Sequence, residues 1–460
     1  MIYFKSAVRL FIVLVTGNRC TPAHLAAGLA LLCTPVAAQD NTPFPQHQIP
    51  QQRNLQHPNL EQQQQRYQLA VQALDGSYDQ GSAELYRALA DIQRQQGDYD
   101  AAITSYSEAL QALRINQGLA SEAQLELLAA FNDVLYRKEQ WQRLDTHYHL
   151  AHRITNQLYG ADDPRTMAAA TKLASWKIRA WQAGVYRPRG DRSVQDAADI
   201  YRNLLTHLEE SGQFDQQQRA TLLSAQGLAY FYAARHVANI PVNEFQYSAP
   251  AHHSLQQCVP LVMSVDGAQP SASACHANQN LDPEYYASQQ REKNNTVRRH
   301  LANMRQSFSA AIDALDADPD ASLEQRVQAI LHLGDANLLA EDYRRARRQY
   351  AQAWTMLSSD PQDQALRQRL LDQPVRALQG ILDTLPFDAQ LSGDAPLGTV
   401  SFEVTAIGAI ENIRINGPPE ALSQDNLGNI AIKLDQSVYR PRIKDGQPIR
   451  SVLTLPASAL

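Results

Sequence analysis

The chain has 460 residues, 19% charged and 44% hydrophobic, and a formal net charge of −6. That length allows two or more domains with ample buried core. The acidic balance argues against nucleic acid or an anionic membrane as a general partner, while leaving room for a local basic patch.

The first element is export-like. Lys5, Arg9 and Arg19 precede the first acid, Asp40, and apolar stretches run from Phe11 to Val15 and from Leu25 to Leu32. Val36-Ala37-Ala38 then supplies a small-x-small cleavage pattern. Residues 1–38 read as a secretory signal peptide cleaved after Ala38. The break at Gly17-Asn18-Arg19-Cys20-Thr21-Pro22 leaves neither apolar run near the roughly 20 residues that a spanning helix needs; a retained anchor is the alternative. Cleavage removes three positive charges and no negative ones, leaving a net charge of −9. Of four cysteines only Cys258 and Cys275 survive it, and an even pair in an exported chain favours a disulfide.

Residues 39–66 read as a Gln/Pro-rich linker, because apolar residues are too sparse there to bury. From 67 to 385 the pattern is helical, with a recurring small/aromatic spacing. Leu89, Ala90, Gly97, Tyr99, Ala102, Tyr106 and Ala109 form one copy, and Leu333, Gly334, Tyr343, Ala346, Tyr350 and Ala353 another. In both, the aromatic, small, aromatic and small positions are separated by 3, 4 and 3 residues. Small residues then sit where a partner helix must come close, and aromatics fill the gaps. These copies resemble tetratricopeptide repeats, which implies a solenoid of helical hairpins with a binding groove. Weaker copies include Trp141, Leu144, Tyr148 and Ala151, then Ala197, Tyr201 and Leu204. Residues 239–283 lack periodicity, contain both cysteines, and read as a disulfide-stapled insertion.

The last segment, 398–460, reads as a small α+β domain of β-hairpin, helix and strand. Val400, Phe402 and Val404 alternate with polar residues, Gly408 serves a turn, and Ile410 to Ile415 pairs back. Leu427, Ile430, Ala431, Leu434 and Val438 form a helical stripe, and Ser451 to Leu455 a last strand. Together with Tyr439-Arg440-Pro441-Arg442 and Asp445-Gly446-Gln447-Pro448, this order resembles the C-terminal domain of TonB-type proteins of the Gram-negative envelope. The resemblance implies a periplasmic domain that binds segments of outer-membrane proteins by adding a strand to a sheet edge. The edge residues so implied are Ser451, Val452, Leu453, Thr454 and Leu455. The Arg-Pro and Asp-Gly elements read as the turn delivering that strand.

The remaining constellations are weak. His149 and His152 share a helix, His252-His253 lie near Cys258 and His276, and Asp316, Asp318 and Asp320 imitate the start of a calcium loop. Ala321 and Val327 stand where that loop needs Gly and Glu. Arg344, Arg345, Arg347 and Arg348 read as a solvated helix face. No nucleophile elbow, phosphate loop or zinc-protease motif occurs, so no metal, cofactor or active site is expected. The expectation is a non-enzymatic periplasmic adaptor for protein partners. The alternatives are an envelope-assembly scaffold whose terminal domain dimerises, a TonB-like energy transducer if the N-terminus is retained, and a hydrolase using the 239–283 insertion.

Overall fold

The computed structural model describes residues 60–74, 81–182, 184–185, 192–212, 215–240, 283–357, 363–386, 398–417, 430, 434 and 437–457. The signal segment and residues 241–282, with Cys258 and Cys275, lie outside the described residues. Within them the fold is mainly helical, with thirteen helices and a small region of sheet toward the C-terminus. The described residues fall into two compact units, 60–138 and 139–457.

In the first unit, helix α1 (Leu60–Gln72) begins inside the stretch expected to be linker. Its glutamines are good helix formers even though the helix buries no side chain. Helices α2 (Ser82–Gln96) and α3 (Tyr99–Gln117) form a hairpin, and α4 (Glu122–Arg137) packs on α3. Gly97, at φ 81°, ends α2 and donates its N–H to the Arg94 carbonyl at 3.1 Å. The next residue, Asp98, caps α3 by accepting the Ala101 N–H at 3.2 Å. Ala90 and Ala102 have no exposed surface, so the two helices approach closely. The Tyr106 ring fills the remaining space, stacks on Phe131 at 5.3 Å, and donates its hydroxyl proton to Asp91.

In the second unit, each helix packs on the next: α5 (Trp141–Tyr159), α6 (Pro164–Gln182), α7 (Ser193–Ser211), α8 (Gln216–Asn239), α9 (Pro283–Asp316), α10 (Leu323–Leu339) and α11 (Tyr343–Met356). Tyr148 stacks on Trp176 at 5.5 Å between α5 and α6. The α10–α11 hairpin repeats the internal links of α2–α3. Asp342 caps α11 by accepting the Arg345 N–H at 3.1 Å, and the Tyr350 hydroxyl donates to Asp335 at 3.0 Å. Gly334 lies against the Tyr350 ring, where an added Cβ would come within 2.6 Å.

The expected helical stretch does not run unbroken to 385. After α12 (Gln364–Leu371), Pro374 removes a backbone donor and disfavours helix at Gln373. A two-residue strand β1 (Val375–Arg376) and a short helix α13 (Gln379–Thr384) follow. Strands β2 (Thr399–Val404) and β3 (Ile410–Asn416) form the expected hairpin, with Gly408 at φ 78° in the turn. Of the expected helical stripe, Ile430 and Leu434 are helical and buried beside Val400, Phe402 and Val404; Val438 is not helical, and Leu427 and Ala431 lie outside the described residues. Strands β4 (Tyr439–Arg440), β5 (Arg442–Lys444), β6 (Gln447–Ile449) and β7 (Ser451–Pro456) complete the sheets.

The terminal segment is not a separate appendage to the helices. Strand β4 pairs antiparallel with β1, Val375 opposite Arg440 and Arg376 opposite Tyr439. Of the motifs expected to be a delivering turn, Asp-Gly turns the β5–β6 hairpin instead, and Arg-Pro leads from β4 into β5. Its Ile443 is wholly buried among Val327, Ile330, Leu338 and Tyr350. The turn at Asp445-Gly446 faces α11, with the added-Cβ position of Gly446 3.6 Å from Ala351.

Candidate functional site

The residues expected to form a binding edge all lie on β7. The larger sheet has the order β3-β2-β7, so β7 is an outer strand among the described residues. It pairs antiparallel with β2 along its whole length, Leu453 opposite Phe402 and Leu455 opposite Val400. Alternation then divides the five residues. Leu453 and Leu455 lean on the core of Val400, Phe402 and Val404, whereas Val452 and Thr454 are exposed. Val452 is 64% exposed, and its cross-strand neighbour is Glu403.

The surrounding face is polar and cross-linked. Ser401 and Thr454 hydroxyls meet at 2.8 Å, and Arg450 bridges Glu403 at 3.0 Å and Glu411 at 2.8 Å. These exposed pairs add little stability. The register of β7 is that of its backbone ladder with β2.

Part of the helical region expected to offer a second binding surface packs against the chain itself. Helix α13 packs on α8, and its Leu382 carbonyl accepts a hydrogen bond from Arg179 of α6 at 3.0 Å. Leu378, Ile381, Leu382 and Leu385 are all buried in the cluster that also holds Ala229, Ala329 and Ala336. Their spacing of i, i+3, i+4 and i+7 is an apolar helical stripe that sequence reasoning left unused. Beyond Pro386 an apolar cleft of about 220 Å³ remains, lined by Met167, Ala168, Leu204 and Leu222.

A buried polar knot holds these parts in place. Asp335 of α10 accepts hydrogen bonds from the Tyr350 hydroxyl at 3.0 Å and the Leu378 N–H at 3.3 Å, and it pairs with Arg440 of β4. Burial pushes the Asp335 carboxyl up, and Arg440 is the chief opposing influence. Burial, reinforced by Asp335, carries the Tyr350 phenol well above its ordinary value. Leu378 adopts φ 61°, a conformation costly for a leucine, at the point where its N–H reaches Asp335. Nothing local in the sequence marks this arrangement.

The other candidates take structural places. His149 and His152 lie on α5, and burial lowers the pKa of both; His149 faces Asp145 at 3.8 Å. The same Asp145 accepts the Trp176 indole N–H at 2.9 Å. Asp318 accepts the Asp320 N–H at 3.0 Å in the α9–α10 turn, ahead of the Ser322–Gln325 capping box. Among the described residues no three His, Cys, Asp or Glu side chains gather as a metal site. The arginines of α11 are exposed, and Arg347 hydrogen-bonds Gln447 of β6. No helix among the described residues is long and apolar enough to cross a membrane.

No protein-family model matches the sequence, and no curated protein matches it significantly. Among solved structures, the crystal structure of BtubC (BKLC) from P. vanneervenii is similar at 13% identity, covering 65% of this chain and 91% of that chain with a TM-score of 0.33. A likeness of that size carries no argument about fold or function.

Proposed function

We propose that the protein is a non-enzymatic periplasmic adaptor in which a tetratricopeptide-type helical array is fused to a TonB-like β-region. The array reading is supported by the two hairpins with identical aromatic and small-residue steps, each joined by a tyrosine-to-aspartate hydrogen bond between its helices. The observation that carries the functional reading is β7, an outer strand with Val452 facing solvent. Such an edge recruits an extended partner segment through main-chain hydrogen bonds, with side chains selecting the sequence. An outer-membrane protein segment is the partner that the family resemblance points to.

The test places a photocrosslinking amino acid at Val452 in cells. Adducts with an outer-membrane protein, lost in the Thr454→Pro variant, are expected. Adducts with a second copy of this chain alone would replace the adaptor by a dimerising scaffold. Sequencing the N-terminus of the exported protein tests the remaining element: a start at Gln39 fits a free adaptor, and an intact Met1 restores the transducer reading.

A further inference from the structure

The residue just past β7 sets the phase of that strand's hydrogen bonds. Ala457 donates its N–H to the Gly398 carbonyl at 2.9 Å, and the pair before it is Thr399 opposite Pro456. Ala457 and Gly398 are therefore a hydrogen-bonded pair, and in an antiparallel ladder every second pair is of that kind. Leu455, Leu453 and Ser451 accordingly turn their main-chain groups toward Val400, Phe402 and Val404 of β2. Val452, Thr454 and Pro456 turn theirs away from β2. The Ser401 and Thr454 hydroxyls meet at 2.8 Å, as fits a pair that shares no main-chain bonds, where side chains come closest. Pro456 fits the same phase, because proline is tolerated in a strand where its missing N–H would face outward.

The outer side of β7 thus carries carbonyl acceptors at Val452, Thr454 and Pro456, but donors at Val452 and Thr454 alone. Among the described residues no strand pairs with that side. A strand added there finds a donor for its carbonyls opposite Val452 and Thr454. Opposite Pro456 its carbonyl meets none and has to stay with water. Directly opposed residues share a face of the sheet. Side chains opposed to Leu453 and Leu455 therefore fall on the core face, where both leucines are only partly buried and gain cover. The side chain opposed to Thr454 falls on the polar face, beside Ser401.

We propose that Pro456 sets the length and register of the strand that β7 accepts. The fitting partner is a short extended segment that bonds to Val452 and Thr454 and leaves the edge before Pro456. It carries apolar side chains opposite Leu453 and Leu455 and a hydroxyl or amide side chain opposite Thr454. Main-chain bonds hold it, and the alternation of its side chains selects it. The proposal rests on reading β7 as a recruiting edge and adds to that reading the phase, the stop and the side-chain pattern.

Two measurements on the full chain test it. Thermal melting reads the phase: Leu453→Pro breaks a bond to β2 and should melt well below Leu453→Ala, whereas Thr454→Pro should stay close to Thr454→Ala. Crosslinking reads the stop. Purified protein with the photocrosslinking amino acid at Val452 is titrated into isolated outer membranes, with Pro456 in place and as Pro456→Val. The added donor should lower the concentration for half-maximal adduct by about threefold to tenfold, the worth of one hydrogen bond. The proposal is overturned if proline costs the same relative to alanine at both positions, or if Pro456→Val leaves that concentration unchanged. It is also overturned if the new adduct of Pro456→Val is only a second copy of this chain, which would make Pro456 a guard against self-pairing. Absence of any Val452 adduct with Pro456 in place removes the edge reading and this proposal together, so the two failures are distinguishable.

Discussion

Arg440 and Asp335 meet at 3.7 Å, Nε to Oδ1, with side chains only 8% and 1% exposed. The pair joins strand β4 to helix α10, and the same carboxylate also holds α11 through Tyr350 and the entry to α13 through Leu378. A buried pair of this kind gives modest net stability, because desolvation offsets its attraction. Losing one partner is another matter, since the other charge stays buried.

Arg440→Met should therefore cost about 3–5 kcal/mol in the stability of residues 139–457. Adding Asp335→Asn should recover about half of that loss, because a neutral acceptor needs no cation. Urea denaturation of the single and double variants measures both quantities. A double variant as unstable as the single would mean that Asp335 acts mainly as a hydrogen-bond acceptor.

Gly408→Ala should cost about 2–3 kcal/mol. The residue sits at φ 78°, and its added Cβ would lie 2.6 Å from the Tyr439 carbonyl oxygen and 2.9 Å from Leu338 of α10. Gly97→Ala is the control. At φ 81° it carries the same backbone penalty, but nothing stands within 4 Å, so about 1 kcal/mol is expected. Equal losses in thermal unfolding would show that the contacts with the Tyr439 carbonyl and Leu338 contribute nothing.

Gly334→Ala sets two effects against each other. Helix propensity favours alanine by about 1 kcal/mol. The new Cβ would meet the Tyr350 ring at 2.6 Å, and that ring cannot retreat while its hydroxyl is fixed to Asp335. Overpacking costs typically 1–3 kcal/mol, so a net loss of up to about 2 kcal/mol is expected. A raised melting temperature would show that the ring yields.

Acid should destabilise the second unit before its carboxylates titrate. Burial first, and Arg299 second, push the His300 pKa down to about 4; burial and then Arg440 push His332 down to about 3. Both groups take up protons near pH 6.5 when unfolded. Their contribution is thus fully present above 6.5 and lost as pH falls toward 4 and 3, at up to about 1.4 kcal/mol per pH unit for each. Urea midpoints at pH 7.5 and pH 5 measure the drop. His300→Gln should reduce it in part, since His149, His152 and His332 are also held below their ordinary value.

Much of the helical region was legible because its signals are local. Ala90, Ala102, Tyr106 and Ala109 fall within two turns of their own hairpin, and each is wholly buried. The β2–β3 hairpin was legible for the same reason, through the alternation of Val400, Phe402 and Val404. The Arg440–Asp335 pair was not, since 105 residues separate its members and neither has a local pattern. Strand β1 is two residues long, too short for any period to show. Leu378 hides its left-handed conformation behind a side chain that normally avoids it.

The C-terminal strands are fastened to the helices at three points: the β1–β4 ladder, the Gly408 turn of the β2–β3 hairpin against Leu338, and Ile443 of β5 in the core of α10 and α11. Three attachments remove the swivel that a single tether would leave. The β7 edge is therefore held at a fixed angle to α10 and α11, and a partner strand added to it would point one way rather than sweep a cone.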